Sequence, residues 1–322
     1  MFENLNSAKT QKISFDDIPK WSEDDHLAAF KALLNGEQKE YNSQNITTMA
    51  QAKSFFEQNY KPYKIKNVGN DKSLYTGYFE PKLKASANKT DTFRYPLYGV
   101  PMDLDHYNYY LNLTRESLTK NIQDKLPILA WLDNKIDLYF MHIQGSGLLE
   151  FVDGTYKRYV YAGKNNFQYS SIGQYLTDNG IISSTLISMS KIKDWLREKE
   201  KNFDIIYLNK SFIFFKEDVC DEDKNHPIGQ LGIRLSPYRS LAVDMNIYEL
   251  NTLIWLNTKT PGKNNNTLEE FNRLMVAQDQ GSAIKGLLRG DIYFGSGLEA
   301  GKLAGNMKAK GNIIILKKKN ES

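Results

Sequence analysis

Cysteine and histidine are scarce in this chain. Cys220 is the single cysteine, so no intramolecular disulfide can form and bridges give no information about the cellular compartment. The histidines show no spacing typical of a metal site, either with one another or with Cys220, and they are His26, His106, His142 and His226. We therefore expect no metal ion and no other cofactor.

Long apolar runs are also missing. No stretch approaches the roughly 18 to 20 apolar residues that span a bilayer, and residues 1–12 lack the apolar core of a secretory signal. As written, the sequence predicts a soluble chain. Such a chain either acts in the cytoplasm or has an export segment that was removed or lies upstream of this start.

The charge is of mixed sign, with 42 Lys and Arg against 38 Asp and Glu, a formal net charge of +4 and a pI near 8.7. The one concentrated run is Lys317-Lys318-Lys319. No zinc, helix-turn-helix or RNA-binding motif accompanies this run, so we expect a solvated tail and no nucleic-acid partner.

Aromatic residues, in contrast, are abundant, with 20 Tyr, 16 Phe and 4 Trp among 322 residues. Most of them will lie in or near a core. Tyrosine combines an apolar face with a polar tip, however, and this combination suits sugar rings. The composition therefore favours a carbohydrate ligand.

The N-terminal part has the pattern of helices. A first helix is predicted by apolar residues at helical spacing, Leu27, Phe30, Leu33 and Leu34. We expect it to be capped by Asp16 or Ser22 and to end at Gly36, and a second helix is predicted over residues 48–60.

Strand patterns begin at Tyr63, and residues 73–81 read as a strand that ends at Pro81. Strand-like segments then cover residues 95–100, 128–131, 136–143 and 212–215, and helical segments cover residues 172–179 and 188–199. An acidic connection over residues 218–225 leads to a second β-rich stretch from Gly229 to Leu316, within which residues 259–268 read as a loop. These patterns favour a β-barrel or β-sandwich built from both ends of the chain, with an inserted domain of mixed structure.

Two aspartates in the last third are the first candidates for chemistry. They lie in a glycine-rich stretch, a composition typical of loops that contact substrates. Asp279 follows the apolar run 274–277 and Asp291 precedes the apolar run 292–294, so both are predicted at strand ends. A carboxyl group in half-apolar surroundings can stay protonated and act as a general acid, because burial disfavours its charged form.

Other short motifs could carry function, but each is weak when taken singly. Gln144 to Gly147 could be no more than a tight turn, and Asp279 could cap a turn through its side chain. Thr76 could be an ordinary strand residue, Tyr78 a core aromatic and Lys285 a surface charge.

Together and in order, the motifs resemble those of the membrane-bound lytic murein transglycosylase A family. They are TGYFEP, PLYGVP, HIQGSG, YAGKN, NKSFIFF, LSPYRSLAVD, AQDQGSAIKG, GDIYFGSG and EAGKLAG. The resemblance extends from Phe15 to Leu316 and so covers nearly the whole chain.

The resemblance implies a mainly β fold with some α-helix. It implies a double-psi β-barrel with short N-terminal helices over residues 1–81 and 219–322. It also implies a smaller β-rich domain inserted over residues 82–218, with a glycan groove at the junction.

The resemblance further implies cleavage of the β-1,4 bond between N-acetylmuramic acid and N-acetylglucosamine in peptidoglycan, with formation of 1,6-anhydromuramoyl products. Asp291 is the catalytic acid that it implies. The supporting or substrate-binding residues are Asp279, Thr76, Tyr78, Gln144, Gly145, Ser146, Gly147, Lys285 and Gly295.

The partners implied are peptidoglycan glycan strands and other cell-wall remodelling proteins, in the periplasm and in association with the outer membrane. Members are typically exported, often with a lipid on an N-terminal cysteine. Nothing before Phe15 supplies an export signal or such a cysteine, so membrane contact is expected only through an anchor that this sequence does not show.

Ordinary glycosidases use two carboxylates, whereas this reaction can proceed with one, because the sugar's own C6 hydroxyl replaces water. Two alternatives stay open at this point. One is a peptidoglycan-binding protein without turnover. The other is an inverting hydrolase that uses Asp279 and Asp291, which requires carboxyl groups about 6.5 to 9.5 Å apart.

Overall fold

The computed structural model describes residues 9–41, 44–66, 73–102, 107–121, 125–219, 226–262 and 267–319. The strands in these ranges are β1 Lys9–Lys12, β2 Tyr60–Lys66, β3 Leu74–Glu80, β4 Lys82–Ser86, β5 Tyr95–Tyr98, β6 Ile128–Leu132, β7 Ser146–Phe151, β8 Tyr156–Lys164, β9 Ile213–Glu217, β10 Ser240–Val243, β11 Leu253–Pro261, β12 Leu268–Gln280, β13 Arg289–Ser296, β14 Lys308–Ala309 and β15 Asn312–Lys318. The α-helices are α1 His26–Tyr41, α2 Met49–Asn59, α3 Tyr107–Leu111, α4 Arg115–Lys120, α5 Lys135–Gln144, α6 Ile172–Asp178, α7 Met189–Glu198 and α8 Gly297–Asn306. Short 3-10 helices cover Phe15–Asp17, Trp21–Glu23 and Glu200–Leu208.

The chain forms two compact units. The first unit contains Met1–Phe79, Leu231–Gly295 and Lys302–Ser322, and the second contains Glu80–Gln230 and Ser296–Gly301. The first unit is therefore assembled from both ends of the chain.

A mixed sheet forms the frame of the first unit, with the order β1-β2-β15-β11-β12-β10-β13-β3-β14 among the described strands. Most neighbours are antiparallel, but β10 and β12 are parallel. The sheet is curled, as a hydrogen bond between β11 and the residue after β14 shows. The Thr258 hydroxyl on β11 donates at 2.8 Å to the carbonyl of Lys310. Strand β14, at one end of the sheet, therefore lies close to β11 near its middle.

The N-terminal helices cover one face of this sheet. Helix α2 begins with a capping box, in which the Thr48 hydroxyl accepts from the amide of Gln51 and the Gln51 side chain accepts from the amide of Thr48. The apolar core beneath the helices includes Phe30, Leu33, Phe55, Phe56, Trp255, Leu274 and Leu316. Burial of these large side chains holds α1 and α2 against the sheet.

The predicted boundaries of the first helix are wrong. Asp16 lies in a 3-10 turn, and α1 begins at His26, where the Asp25 carboxylate accepts from the amide of Ala28 at 3.0 Å. The helix continues past Gly36, with a kink at Glu37. A side chain at Gly36 would collide with Asn251, so this glycine permits a close contact instead of ending the helix.

The second unit is built on a sheet with the order β5-β6-β4-β7-β8-β9. Strands β4 and β7 are parallel and the other paired neighbours are antiparallel. An isolated bridge between Gly99 and Phe215 connects the β5 side to β9, so the two edges of the sheet meet. The core enclosed by these strands includes Leu97, Leu132, Met141, Leu149 and Phe215.

The predicted strand over residues 136–143 is wrong, because these residues form helix α5. Asn134 caps the helix through side-chain bonds to the amides of Ile136 and Asp137, and Gly145 ends it in a left-handed conformation with φ 84°. Short apolar runs fit a buried strand and a buried helix equally well, and here the caps decide.

The predicted loop over residues 259–268 is shorter, because β11 extends to Pro261 and β12 starts at Leu268. In the predicted acidic connection, residues 220–225 lie outside the described residues, and Cys220 is among them. No helix in the described ranges combines the length and apolar character that crossing a bilayer requires.

A buried ion pair joins the start of α1 to the sheet of the first unit. Two nitrogens of Arg239 donate to the two carboxylate oxygens of Asp24 at 2.8 Å each, and the amide of Leu274 on β12 donates to Asp24 at 2.9 Å. Both side chains are almost fully buried, at 4% and 3% exposure. Removal of one partner leaves the other charge buried and unpaired, which is costly.

We predict that Asp24→Asn lowers the free energy of unfolding by about 3–5 kcal/mol, because the Arg239 guanidinium loses its counter-charge inside the protein. Glu23→Gln is the matched control, since Glu23 pairs with Lys20 at the surface. An exposed pair of this kind contributes less than about 1 kcal/mol. Urea unfolding followed by circular dichroism measures both variants, and equal losses would contradict this role of the ion pair.

Candidate active site

Asp279 and Asp291 lie on the two strands that flank β10, one on each side of Ala242. Ala242 on β10 pairs with Asp279 on β12 and with Asp291 on β13, and β12 has a bulge just before Asp279, where Gln278 is the extra residue. Paired residues of neighbouring strands, about 4.8 Å apart, point to the same side of a sheet. The two carboxyl groups therefore share one face, with only the methyl group of Ala242 between them.

Strand β3 contributes a polar contact to each aspartate. The Thr76 hydroxyl donates to Asp291 Oδ1 at 2.5 Å, and the Tyr78 hydroxyl donates to Asp279 Oδ2 at 2.8 Å. Thr76 and Tyr78 are two positions apart, so their side chains leave the strand on the same face. The structure thus brings together Asp279, Asp291, Thr76 and Tyr78, all of which were candidates from sequence.

Gly77, between the threonine and the tyrosine, permits close packing. A Cβ atom at this position would lie 2.5 Å from the Phe294 ring and 2.9 Å from Cα of Ala304. A side chain at Gly77 would therefore push β3 away from β13 and α8.

Arg289 is a site residue that the sequence analysis missed. Its Nη2 donates to the Thr76 hydroxyl at 2.9 Å, and its Nη1 donates to the carbonyls of Leu74 and Gly290. Guanidinium groups only donate hydrogen bonds, so Thr76 accepts from Arg289 and directs its own proton to Asp291. The signal in the sequence was the spacing, because Arg289 and Asp291 are two residues apart on one strand.

The surroundings of Asp291 raise the pKa of its carboxyl group to about 6. The main cause is loss of hydration, and the charge of Asp279 acts in the same direction. Arg289 and the hydrogen bond from Thr76 oppose the increase. The residue keeps some surface exposure, yet protein atoms surround the carboxyl group, which can hold a proton near neutral pH.

Both carboxylate oxygens of Asp279 accept hydrogen bonds from the protein. Its Oδ2 accepts from Tyr78, and its Oδ1 accepts from the amide of Gln280 at 2.9 Å. Burial, followed by the charge of Asp279, raises the pKa of Tyr78 well above its usual value. Tyr78 therefore stays a neutral donor to Asp279.

Glu80, in the same TGYFEP motif, belongs to the second unit and has its partners there. Arg158 Nε donates to Glu80 Oε1 at 2.7 Å, and the Ser296 hydroxyl donates to Oε2 at 2.6 Å. Burial raises the pKa of Glu80 overall, although Arg158 and Ser296 act to lower it. Both side chains of the Glu80–Arg158 pair are buried, so this carboxylate is committed to an ion pair.

Lys285 contacts a third aspartate of the first unit. Its ammonium lies 3.5 Å from Asp244 Oδ1, while most of the lysine side chain is exposed. Burial acts to raise the pKa of Asp244, but the amides of Gly286 and Asn246, together with Lys285, lower it overall. Asp244 thus organises the turn that follows β12.

The remaining candidates are small or turn-forming residues. Gly295 near the end of β13 has a φ of 107°, which favours glycine. Gln144 to Gly147 belong to the second unit, where Gln144 ends α5, Gly145 caps it and Ser146 begins β7. A Cβ atom at Gly147 would lie 2.7 Å from the end of the Met141 side chain, so a larger residue there would require Met141 to shift.

Within the described residues, no group of three His, Cys, Asp or Glu side chains is arranged to hold a metal ion. His26 and His142 are each buried, and burial lowers the pKa of both. Cys220 and His106 lie outside the described residues.

Comparison with known families gives two matches along the chain. The model of the MltA specific insert domain matches residues 74–216. The model of the 3D domain matches residues 239–317. The first match includes Thr76 and Tyr78, and the second includes both aspartates of the site.

Curated relatives match over most of this chain. The membrane-bound lytic murein transglycosylase A of Escherichia coli strain K12 is 33% identical over 255 residues, which are 78% of this chain and 67% of that protein. The curated matches span about two thirds of the relatives' own lengths, from 65 to 67%.

Solved structures match more completely. A membrane-bound lytic murein transglycosylase from Agrobacterium tumefaciens superposes with a TM-score of 0.83 at 30% identity, covering 96% of this chain and 98% of that chain. The structure of E. coli MltA with bound chitohexaose superposes with a TM-score of 0.68 at 28% identity, covering 91% of this chain and 84% of that chain. The same β-rich fold with helices is therefore present in those proteins.

The raised pKa of Asp291 predicts that the folded protein becomes less stable as the pH rises. The folded protein binds this proton more tightly than the unfolded chain, so stability falls as the pH rises from about 4 to about 6, and the full cost is present above that range. Asp291→Asn removes the charge and should therefore stabilise the protein at pH 8 by about 2–4 kcal/mol, with no gain at pH 4.

Thermal or urea unfolding at the two pH values measures this difference. Asp178→Asn, at an exposed position on α6, is the control and should change the midpoint little. A gain for Asp291→Asn that is the same at both pH values would contradict a buried, titrating carboxyl group.

Proposed function

Because the chain belongs to the membrane-bound lytic murein transglycosylase A family, we propose that it is a lytic transglycosylase. It cleaves the β-1,4 bond between N-acetylmuramic acid and N-acetylglucosamine in peptidoglycan and forms 1,6-anhydromuramoyl products. The observation that supports this proposal most directly is the carboxyl group of Asp291, whose pKa lies at about 6. Such a group can hold a proton and release it near neutral pH.

In the first step, protonated Asp291 acts as the general acid. Its Oδ1 accepts the hydrogen bond from Thr76, so the acidic proton is placed on Oδ2. Oδ2 donates this proton to the glycosidic oxygen as the bond to C1 of the muramic acid breaks. The sugar then approaches an oxocarbenium-like state.

In the second step, the Asp291 carboxylate acts as the base. It takes the proton of the C6 hydroxyl of the same sugar, whose oxygen attacks C1 and closes the 1,6-anhydro ring. The attack is intramolecular, so positioning of the sugar replaces the positioning of a water molecule. Asp291 is protonated again at the end and ready for the next turnover.

Asp279 supports the acid in this scheme. Its negative charge favours the protonated form of Asp291, although burial is the larger cause of the raised pKa. Both oxygens of Asp279 already accept hydrogen bonds from the protein. This arrangement favours a supporting role over activation of water, and it therefore favours the transglycosylase over an inverting hydrolase.

The remaining roles belong to the same proposal. Thr76 and Tyr78 orient the two aspartates, and the glycan strand is bound with the help of Gln144, Gly145, Ser146, Gly147, Lys285 and Gly295. The glycan as ligand is supported by the chitohexaose bound to the E. coli relative. No metal or cofactor is required by the two steps.

We also propose a domain assignment and a location. Residues 1–81 and 219–322 form a double-psi β-barrel, and residues 82–218 form the inserted domain. The match of the insert-domain model to residues 74–216 and the parallel β10–β12 pair support this assignment. The membrane-bound relatives support a place in the cell envelope, where other wall-remodelling proteins are the expected partners.

We predict that Asp291→Asn reduces release of soluble muropeptides from murein sacculi by at least about 10²-fold, because the amide cannot donate and recover the proton. Binding to insoluble sacculi should stay nearly unchanged, and Asp279→Asn should lose less activity. Asp178→Asn serves as the surface control.

Mass spectrometry of the digested sacculi separates the competing functions. Anhydro ends support the transglycosylase, whereas reducing ends indicate the hydrolase, and no soluble product indicates a binding protein. Substantial activity of Asp291→Asn would move the acid role to another residue.

The activity should depend on pH. Since Asp291 must be protonated when the substrate binds, kcat/KM should fall as the pH rises through about 6. The profile should have one limb, because a second carboxylate is not needed. A bell-shaped profile would favour a two-carboxylate mechanism.

Arg289→Gln should move this limb to higher pH, because the positive charge of Arg289 lowers the pKa of Asp291. Arg289→Lys keeps the charge and should leave the limb close to its original position. A limb that shifts equally in both variants would mean that Arg289 acts through structure and not through its charge.

A further inference from the structure

A cavity of about 510 Å³ lies within the second unit, separate from the residues assigned above. Helices α4 and α5, strand β5 and the 3-10 helix Glu200–Leu208 contribute its walls. Several walls are aromatic or apolar, including Tyr139, Phe203, Tyr207 and Phe212. We name this cavity the Arg115 pocket, after the most buried cation in its lining.

Arg115 is a buried cation without a carboxylate partner. It is 4% exposed, and no Asp or Glu of the described residues lies within ion-pair distance of its guanidinium. Nε donates to the carbonyl of Asn209 at 3.0 Å, and Nη2 donates to the carbonyl of Ser211 at 2.5 Å. Burial of a charge without a counter-ion is unfavourable, so a bound anion beside Arg115 would relieve this cost.

The two backbone bonds hold the guanidinium in a fixed orientation. The group also lies 5.0 Å from the ring centroid of Tyr139 and 5.3 Å from that of Phe212. Guanidinium carries five N–H donors, so the two bonds to Asn209 and Ser211 leave others available. A rigid, partly satisfied guanidinium is the group that recognises carboxylates in two-point contacts.

The rim of the pocket adds positive charge. Five cationic side chains line the pocket against two carboxylates, Glu200 and Asp204, and both carboxylates belong to exposed residues. Lys120 lies 4.5 Å above the Tyr207 ring, and Lys135 lies 4.2 Å above the Phe203 ring. The pocket therefore combines a positive field with flat apolar surfaces.

His142 on α5 provides a neutral polar group in the same lining. Its Nδ1 accepts from the amide of Ile213 at 3.4 Å, which places the ring hydrogen on Nε2. His142 is thus a donor, as is Arg115. A ligand with an acceptor group fits both.

We propose that the Arg115 pocket binds a carboxylate carried on an apolar or sugar-ring body. The carboxylate pairs with the free N–H groups of Arg115, and the body packs against the aromatic walls. That the ligand is a peptidoglycan fragment rests on the proposed function. Two carboxylates of peptidoglycan then have the required chemistry: the lactyl group of N-acetylmuramic acid and the acidic residues of the stem peptide.

Titration of the protein with three compounds tests the proposal and identifies the source. N-acetylmuramic acid carries the lactyl carboxylate, N-acetylglucosamine is the same ring without it, and L-alanyl-D-glutamate carries peptide carboxylates without a sugar. Binding is followed through the NMR signals of the His142 ring. Shifts with N-acetylmuramic acid assign the lactyl group, and shifts with the dipeptide alone assign the stem peptide.

Variants of the pocket complete the test. Arg115→Lys keeps the charge but loses the planar fork and should weaken binding of the carboxylate ligand about tenfold. Lys120→Gln, on the exposed rim, should weaken it about two- to threefold and avoids any risk to folding. Lys157→Gln is the matched control, because Lys157 is an equally exposed lysine on β8 that pairs with Glu217.

The outcomes are distinct from those of the proposed function. Release of anhydro muropeptides from sacculi tests the reaction at Asp291, whereas the titrations test the pocket alone. If neither carboxylate compound binds more tightly than N-acetylglucosamine, or if Arg115→Lys and Lys120→Gln bind as well as Lys157→Gln, the proposal is overturned.

Discussion

The position of Ala242 between two aspartates is the constraint on which the site depends. Strand β10 pairs with β12 on one side and with β13 on the other, and this pairing fixes both carboxyl groups on one face. Strand β3, from the other end of the chain, then reaches both groups through Thr76 and Tyr78. Four strands must therefore be in register before the acid is complete.

Some buried acidic groups of this protein contact arginine either directly or through a hydroxyl group. Asp24 and Glu80 form direct ion pairs with Arg239 and Arg158. Asp291, by contrast, is separated from its nearby arginine by the Thr76 hydroxyl, which relays the hydrogen bond. Arg289 therefore acts on Asp291 through its charge and through this hydroxyl, and burial keeps the pKa of Asp291 at about 6.

Much of the local structure could be predicted from the sequence, and the failures have physical causes. Asp279 and Asp291 were placed at strand ends, as the structure has them, because apolar runs adjoin them. Helix α5 was missed, since its apolar run fits either period and its caps decide. Arg289 was missed because its contact with Thr76 crosses from one strand to another. Such a contact depends on how the two strands are aligned, and the sequence of one strand does not give this alignment. Helix α8, which starts at Gly297, was missed because glycine argues against helix interiors.

The assembly of the first unit from both chain ends has a consequence for its synthesis. Helices α1 and α2 pack against strands that are synthesised much later, since Phe56 of α2 and Trp255 of β11 belong to the same core. The helices therefore leave the ribosome long before their packing partners. At about 5–20 residues per second this delay is on the order of 10–40 s. The second unit, continuous apart from one short segment, can close during that interval. Until β11, β12 and β15 emerge, the apolar side chains of α1 and α2 therefore lack the sheet against which they pack.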